Sequence, residues 1–219
     1  MPPAAPAPFH RVAGWRRQGC PPRGRLGAPA AACYSGPVPA LQPHPATPAP
    51  GGLALAVEVG RPADLELRYT LRGDLAAVVL PPLATPGFAD ELWRHTCFEA
   101  FLARDGEPAY VEYNFSPSGR WAAYGFSDYR RRRALDPAGL APAVDWQHAG
   151  DRLTLTATIP LAPLGLAGAP LRVGATAVIE ARDGARSYWA LRHPPGAPDF
   201  HRAEVRALRL PPRRGSADR

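Results

Sequence analysis

The sequence predicts an all-β protein in which antiparallel strands form a sandwich or a barrel. Short apolar or alternating segments follow one another from residue 53, and Gly, Pro or Asp residues separate them. Residues 153–159 (LTLTATI) alternate strictly, with threonine on one face. Few stretches suit a helix, and the 29 prolines argue against a coiled coil or a helical repeat.

Eleven segments carry this strand pattern, and together they are long enough to bury a hydrophobic core. They are residues 53–59, 64–71, 75–80, 92–103, 109–116, 120–127, 144–148, 153–159, 171–180, 187–191 and 204–210. Residues 160–168 are the main helical candidate, with one or two turns, because proline suits the first turn of a helix.

Composition divides the chain into three parts. The first 50 residues hold 13 of the 29 prolines, five arginines and no acidic residue. The proline at position 29 interrupts the apolar stretch that a secretory signal needs, and the many prolines oppose the amphipathic helix of a transit peptide. We predict a disordered Pro/Arg-rich extension at 1–40, a β-domain at 41–212 and a polar tail at 213–219.

The net charge of +7 does not predict a polyanion partner. Five of the 26 basic residues, all of them arginine, lie in the acid-free first 50 residues, so the rest of the chain is close to neutral. Residues 130–133 form a four-arginine run that could hold phosphates, but a solvated loop is the interpretation we favour. The sequence therefore predicts no nucleic-acid partner. Without a signal or an apolar run of membrane-spanning length, it also predicts no membrane partner and a cytoplasmic location.

The cysteines predict neither a disulfide framework nor a zinc site. Cys20, Cys33 and Cys97 are three in number and show no paired spacing. Cys97 lies in an apolar run and is predicted to be a buried thiol. We assign no metal ligands, although hard cations such as Ca²⁺ prefer carboxylate oxygens and could bind where acidic residues meet.

A hairpin near the middle of the chain brings two glutamates together. Gly106 allows a tight turn between two strand segments. If Ala103 pairs with Pro108, antiparallel register places Glu99 opposite Glu112. Facing carboxylates repel each other, so a cation, an arginine, a shared proton or solvent exposure has to compensate.

A second turn at residues 117–119 extends this arrangement to a third strand and brings Trp121 near Ser116. The expected polar face then carries Trp93, His95, Cys97, Glu99, Glu112, Asn114, Ser116 and Trp121. The expected core face carries Thr96, Phe98, Ala100, Leu102, Val111, Tyr113, Phe115, Tyr124 and Phe126. Large aromatic rings beside convergent polar groups favour a binding site over an ordinary solvated face.

Three motifs give the sequence a resemblance to a known family. LWRHTCFEAFL, EYNFSPSGRWAAY and YWALRHPPGAPDFH, together with LQPHP at 41–45, resemble the bacterial DOMON-like family, related to family 9 carbohydrate-binding modules. The resemblance spans residues 41–210 and implies an antiparallel β-sandwich of jelly-roll or immunoglobulin-like, DOMON/CBM9 type. Relatives bind sugars or haem. In the sugar-binding modules two tryptophans clamp a terminal sugar, and acidic, amide and arginine side chains hydrogen-bond it.

The resemblance implies a ligand-binding module for a small molecule, most plausibly a carbohydrate. By chemistry, Trp93 and Trp121 would stack on a sugar while Glu99, Glu112 and Asn114 hydrogen-bond it. His95 on the same face and Trp189 and Arg192 in the third motif complete the candidate ligand-binding set: Trp93, His95, Glu99, Glu112, Asn114, Trp121, Trp189 and Arg192. The oligomeric state is not predicted.

Two alternatives stay open. Haem-binding relatives use Met or Lys with His, but this chain has no lysine and only an initiator methionine, so haem would need two of His95, His193 and His201. The loop residues His193, Asp199 and His201 could instead hydrogen-bond the backbone and fix their proline-rich loop. The second alternative is a glycan-processing enzyme in which the paired glutamates act as acid and nucleophile, although a strand pair alone shows no closed cleft.

Overall fold

The computed structural model describes residues 39–136 and 139–212. The predicted extension, apart from residues 39 and 40, and the tail at 213–219 lie outside this part of the chain. The strands are β1 Ala40–Pro43, β2 Ala54–Gly60, β3 Leu65–Arg72, β4 Gly87–Phe88, β5 Cys97–Arg104, β6 Tyr110–Phe115, β7 Arg120–Asp128, β8 Arg131–Arg133, β9 Ala143–Ala149, β10 Arg152–Ile159, β11 Leu171–Glu180, β12 Arg186–Ala190 and β13 Leu208–Leu210. Short 3₁₀ helices span Leu75–Ala77, Leu92–Arg94 and Ala203–Val205.

The strands form two sheets, which confirms the predicted antiparallel β-sandwich. Sheet I has the order β1-β2-β3-β10-β9, and sheet II has the order β4-β7-β6-β5-β11-β12-β1. In addition, β8 pairs with β7 and β13 pairs with β11. Neighbouring strands are antiparallel except for the short parallel pair of β4 and β7.

Strand β1 joins the two sheets at one side of the sandwich. Its residues Ala40 and Leu41 pair with β2, and the next two residues, Gln42 and Pro43, pair with β12. A strand that changes sheets in this way bends, and Pro43, which has no N–H to donate, lies at its end. The sandwich is therefore closed along this side by a continuous backbone ladder.

The main core lies between the sheets and is formed by one alternate set of side chains from each strand. Leu67, Tyr69 and Leu155 come from sheet I, and Phe98 and Tyr113 come from sheet II. All five are fully buried. The period-two pattern of the sequence thus places its apolar residues on the inner faces, as expected for a sandwich.

Several predicted elements differ from the structure at their ends. The predicted strand at 75–80 begins as a 3₁₀ helix because the Asp74 carboxylate accepts a hydrogen bond from the Ala76 N–H at 3.0 Å. Residues 92–94 are also helical, and strand β5 begins only at Cys97. Residues 160–168 form consecutive turns instead of the predicted helix. Strands β1, β4 and β8 were not predicted, because they are short, polar or end in proline.

The central strands of sheet II, β5, β6 and β11, are buried on both faces. The outer face of this sheet, turned away from the core, lies beneath residues 200–205, and Phe200 and Val205 pack there against Phe101 and Phe126. Every residue of β6 is consequently buried. Within the described ranges, no helix has the length and hydrophobicity that crossing a membrane requires.

We predict that Gly174→Ala destabilises the protein by lifting the segment that covers sheet II. A Cβ at Gly174 would lie 2.9 Å from the backbone oxygen of Val205, which is too close without a backbone shift. Overpacking of this kind costs about 1–3 kcal/mol of unfolding free energy, measurable by urea denaturation. Gly51→Ala is the matched control, since nothing lies within 4 Å of its Cβ position. Equal stability of the two variants would contradict this packing.

Candidate functional site

The outer face of sheet II carries a buried polar cluster, which we define as Cys97, Glu99, Glu112, Asn114, Thr176 and His201. Strands β5, β6 and β11 supply the first five, all of which are buried, and His201 arrives from the loop that follows β12. The Thr176 hydroxyl donates to Glu99 Oε2 at 3.0 Å, and the Asn114 amide donates to Glu112 Oε1 at 2.6 Å. The predicted polar face therefore exists, but it is an interior layer.

The predicted hairpin register is wrong by two residues. Ala103 pairs with Tyr110 and not with Pro108, so Glu99 lies opposite Asn114. Pro108 has no N–H and cannot donate a hydrogen bond to the neighbouring strand. In the turn before it, Asp105 Oδ1 accepts a hydrogen bond from Arg172 Nε at 2.9 Å. Because the shift is even, Glu99 and Glu112 still share a face, as diagonal neighbours rather than as a directly opposed pair.

The predicted face of strand β7 is also wrong. Gly119 has a positive φ of 89°. Across this turn, the Ser116 N–H donates a hydrogen bond to the Arg120 carbonyl oxygen at 2.9 Å. Trp121 then pairs with Phe115, one residue away from the predicted pairing. A one-residue slip reverses every side chain of a strand. Trp121 therefore packs on the core and against Phe88, whereas Tyr124 and Phe126 take the outer face.

Burial determines the protonation of the two glutamates. Glu99 is 2 % exposed and Glu112 is 6 % exposed. Burial, followed by the charge of Glu112, raises the pKa of Glu99 well above its usual range against the Thr176 hydrogen bond. Burial also raises the pKa of Glu112, but the Asn114 hydrogen bond and the charges of Arg132 and Arg130 oppose this rise. The pKa of Glu99 is thus raised further than that of Glu112, so a proton on the pair favours Glu99.

Two further members of the cluster are neutral. Burial, followed by the Arg130 charge, lowers the pKa of His201 to about 4. At neutral pH the contact of 3.8 Å between His201 Nε2 and Glu112 Oε2 is therefore not an ion pair. Burial and the Glu99 charge raise the pKa of Cys97, which confirms the predicted buried thiol. The cluster is a proton-rich interior with little free charge.

A surface pocket lies next to this cluster, at the loop of residues 191–202 that follows β12, which we call the covering loop. It has a volume of about 350 Å³ and is lined by Arg130, Pro194, Pro195, Ala197, Pro198, Asp199 and Arg202. Asp199 joins the two regions, since its Oδ1 accepts the His201 backbone N–H at 3.1 Å. The Tyr110 hydroxyl, 2.9 Å from His201 Nδ1, also accepts the Arg130 N–H at 3.2 Å. The interior layer thereby supports the pocket.

Tyr129 lies beside the residues that line the pocket and is 46 % exposed. Its hydroxyl donates to Asp199 Oδ2 at 2.6 Å, and the Arg130 guanidinium donates to Asp199 Oδ1 at 2.9 Å. The guanidinium carbons of Arg130 and Arg202 lie 5.8 Å and 5.9 Å from the ring centroid. Arg130 has a left-handed φ of 54°, a strained backbone that clusters at functional sites.

Asp199 is the acceptor that organises the pocket. Burial acts to raise its pKa, but hydrogen bonds from Tyr129 and the His201 N–H, together with Arg130, outweigh burial and bring the pKa below its usual range. Asp199 is therefore ionised at neutral pH. It also fixes its own loop through a backbone N–H, as the sequence analysis predicted.

The remaining predicted site residues lie apart from this pocket. Trp93 is exposed beside Arg94, and His95 Nδ1 contacts Glu180 Oε2 at 2.8 Å. Trp189 is buried in the core, where its indole N–H donates to Ser187 Oγ at 3.0 Å, so a sugar cannot reach its ring. Arg192 is exposed on the loop after β12.

His193 lies at the opposite end of the covering loop from His201. Its Nε2 is 2.8 Å from the Gln42 carbonyl oxygen, and its ring contacts His44 edge to face. It therefore ties the loop to strand β1, which agrees with the predicted loop-fixing role. Three of the predicted histidines thus have separate partners in separate places.

Four residues of the site were missed by the sequence analysis: Thr176, Tyr129, Arg130 and Arg202. Thr176 was hidden within a long apolar strand, where a single hydroxyl gives no signal. Tyr129 and Arg130 carried a weak signal, an aromatic residue at the start of the arginine run. Arg202 could not have been found, because only the fold brings it to Tyr129.

The described ranges contain no cluster of side chains that would support metal or haem binding. Within them, no three His, Cys, Asp or Glu side chains are grouped as a metal ion would require. Glu99 and Glu112 are the nearest candidates for Ca²⁺, but the proton on Glu99 and the burial of both make them poor cation ligands. The predictions about haem and Ca²⁺ therefore stay predictions.

One of two similar solved structures supports the fold. A protein of Bacteroides uniformis ATCC 8492, described as a "putative carbohydrate-binding protein", matches with a TM-score of 0.55 and 16% identity, over 75% of this chain and 83% of its own. A family 9 carbohydrate-binding module of Caldicellulosiruptor kristjanssonii, solved with cellotriose, matches with a TM-score of 0.43 and 13% identity, over 78% of this chain and 83% of its own. No family model and no curated protein matches the chain.

We predict that Glu99→Gln reduces the decrease in the free energy of unfolding that occurs as the pH rises. A carboxyl with a raised pKa holds its proton in the folded state while the unfolded chain ionises from about pH 4.5, so stability falls as pH rises towards the folded pKa. The free energy of unfolding of Glu99→Gln, relative to the parent, should therefore improve by up to about 1.4 kcal/mol per pH unit above that point.

Urea denaturation between pH 4.5 and 8 measures this difference. His201, with its lowered pKa, acts in the opposite sense and loses stability as pH falls from about 6.5 to 4, but it contributes equally to both proteins. Glu58→Gln, at an exposed position of β2, is the control and should keep a constant offset. Parallel pH curves for Glu99→Gln and the parent would show that Glu99 is ionised in the folded state.

Proposed function

We propose that this chain is a carbohydrate-binding module and that the pocket formed by Arg130 and residues 194–202, together with the adjacent Tyr129 ring, is its ligand site. The observation that carries the proposal is the exposed Tyr129 ring, held in place by Asp199 and flanked by Arg130 and Arg202. An apolar ring thus lies beside a cavity that is lined by a carboxylate acceptor and guanidinium donors, as small-molecule sites require.

The chemistry of the pocket suits a polyhydroxylated ring. Sugar C–H faces pack on aromatic rings, and each hydroxyl can both donate and accept a hydrogen bond. A carboxylate accepts at about four lone-pair positions, and Asp199 uses three of them on Tyr129, Arg130 and the His201 N–H. One acceptor position and most of the guanidinium N–H groups are therefore left for a ligand.

The pocket is also largely preformed. Pro194, Pro195 and Pro198 line it, and proline fixes φ and stiffens a loop. The volume of about 350 Å³ lies at the lower end of the usual range of roughly 300–1,000 Å³ for small-molecule sites. A rigid site of this size loses little conformational entropy on binding and fits a single small ligand.

The likeness of fold supports this proposal by analogy. The Bacteroides uniformis protein shares the sandwich, but at 16% identity it transfers no residue to this chain. The three motifs that resemble the DOMON-like family contain Asp199 but not Tyr129, Arg130 or Arg202. We propose membership of that bacterial family on these motifs, and we place the ligand outside the tryptophan face that the resemblance implied.

We predict that Tyr129→Ala weakens sugar binding by about tenfold or more, on the order of 1.4 kcal/mol, because it removes the stacking ring and a partner of Asp199. Calorimetry of the full chain against D-glucose, D-xylose, cellobiose and D-glucuronate measures the loss. Trp93→Ala is the matched control, since it removes an exposed aromatic ring away from the pocket lining.

The pattern of the two variants is decisive. Loss of affinity in Trp93→Ala with full binding by Tyr129→Ala would return the site to the face predicted from the sequence. Absence of binding by the parent protein to all four sugars would contradict the proposed function itself.

A further inference from the structure

The pocket carries more positive charge than the binding of a neutral sugar requires. Arg130 is paired with Asp199 at 2.9 Å, so these two charges offset each other. Arg202 also lines the pocket, is exposed, and forms no ion pair with any residue of the described ranges. One positive charge is therefore left without a counter-charge at the mouth of the cavity.

The surroundings increase this positive potential. The charges of Arg130, Arg132 and Arg206 each lower the pKa of His201 below the pocket, whereas Asp199 alone raises it. The guanidinium of Arg132 lies 4.1 Å from the centroid of Tyr124, and that of Arg206 lies 4.6 Å from the centroid of Tyr110. Arg130, Arg132 and Arg206 are thus held on aromatic faces around His201.

The donors available in the pocket match an anionic group in geometry as well as in charge. A guanidinium presents up to five N–H groups in a planar fork that pairs with a carboxylate through two parallel hydrogen bonds. Arg130 donates one of these N–H groups to Asp199 Oδ1, which also offsets its charge. Among the residues that the structure describes, the contact of the Arg202 guanidinium is with Tyr129, 5.9 Å from the ring centroid. This guanidinium can therefore turn towards a ligand that lies on the same ring.

From this arrangement we infer that the pocket selects a sugar that carries one carboxylate, a uronic acid, with the sugar ring on Tyr129 and the carboxylate on Arg202. The inference rests on the proposed function and adds the ligand class. A carboxylate matches the planar guanidinium of Arg202, which is the arginine of the described pocket lining that is outside the Arg130–Asp199 ion pair. A doubly charged phosphate would bring a second negative charge next to the Asp199 carboxylate.

Calorimetry of the full chain at low ionic strength tests this ligand class, with D-glucuronate, D-glucose, D-glucose 6-phosphate and acetate as probes. We expect D-glucuronate to bind at least tenfold more tightly than D-glucose. Arg202→Gln should reduce this preference to less than threefold. Arg94→Gln should leave it unchanged, because Arg94 pairs with Glu91 outside the pocket lining.

The outcomes separate failure of the inference from failure of the proposed function. Equal affinity for D-glucose and D-glucuronate overturns the inference and leaves the carbohydrate module standing. Tighter binding of D-glucose 6-phosphate than of D-glucuronate overturns the assignment to a carboxylate. Acetate binding as tightly as D-glucuronate, or no binding of any sugar, contradicts the proposed function and the inference with it.

Discussion

The burial of two carboxyl groups beneath one loop is the constraint on which the rest of the site depends. Glu99 and Glu112 lie on the outer face of sheet II, and isolated charges at such depth are costly unless they are protonated or hydrogen-bonded. Thr176 and Asn114 meet this requirement from within the sheet, and His201 closes the layer from above. The loop that carries His201 is therefore positioned by the interior chemistry of the sheet.

That same loop forms the wall of the pocket. Asp199 accepts the backbone N–H of His201 and, with its other contacts, orients Tyr129 and Arg130. The Tyr110 hydroxyl meets both His201 and the Arg130 N–H, which connects the buried layer to the turn between β7 and β8. These hydrogen bonds connect the packed outer face of sheet II to the residues of the surface site and fix their positions.

Period-two patterning predicted the sandwich and most of its strands, because alternation directly reports which side of a strand is buried. Strands β3 and β10 lie almost where the pattern placed them. Face assignment failed at the turn before β7, where one residue in a glycine turn decides the parity of the whole strand. The polar face was predicted to be solvent-exposed, because no local sequence pattern indicates that a loop distant in the chain covers it.

The same limit applies to the charge pattern. Net charge over residues 51–219 is close to neutral, and from it we predicted no polyanion partner, but a net charge does not report where charges gather. Local potential depends on which charges the fold brings together. Here Arg130, Arg132 and Arg206 act on His201, and Arg130 and Arg202 line the adjacent pocket. Two of these cations precede β9 and two follow β12, more than 65 residues later. A chain whose net charge is close to neutral can therefore form a locally positive site. Such a site is identified only when the fold is known.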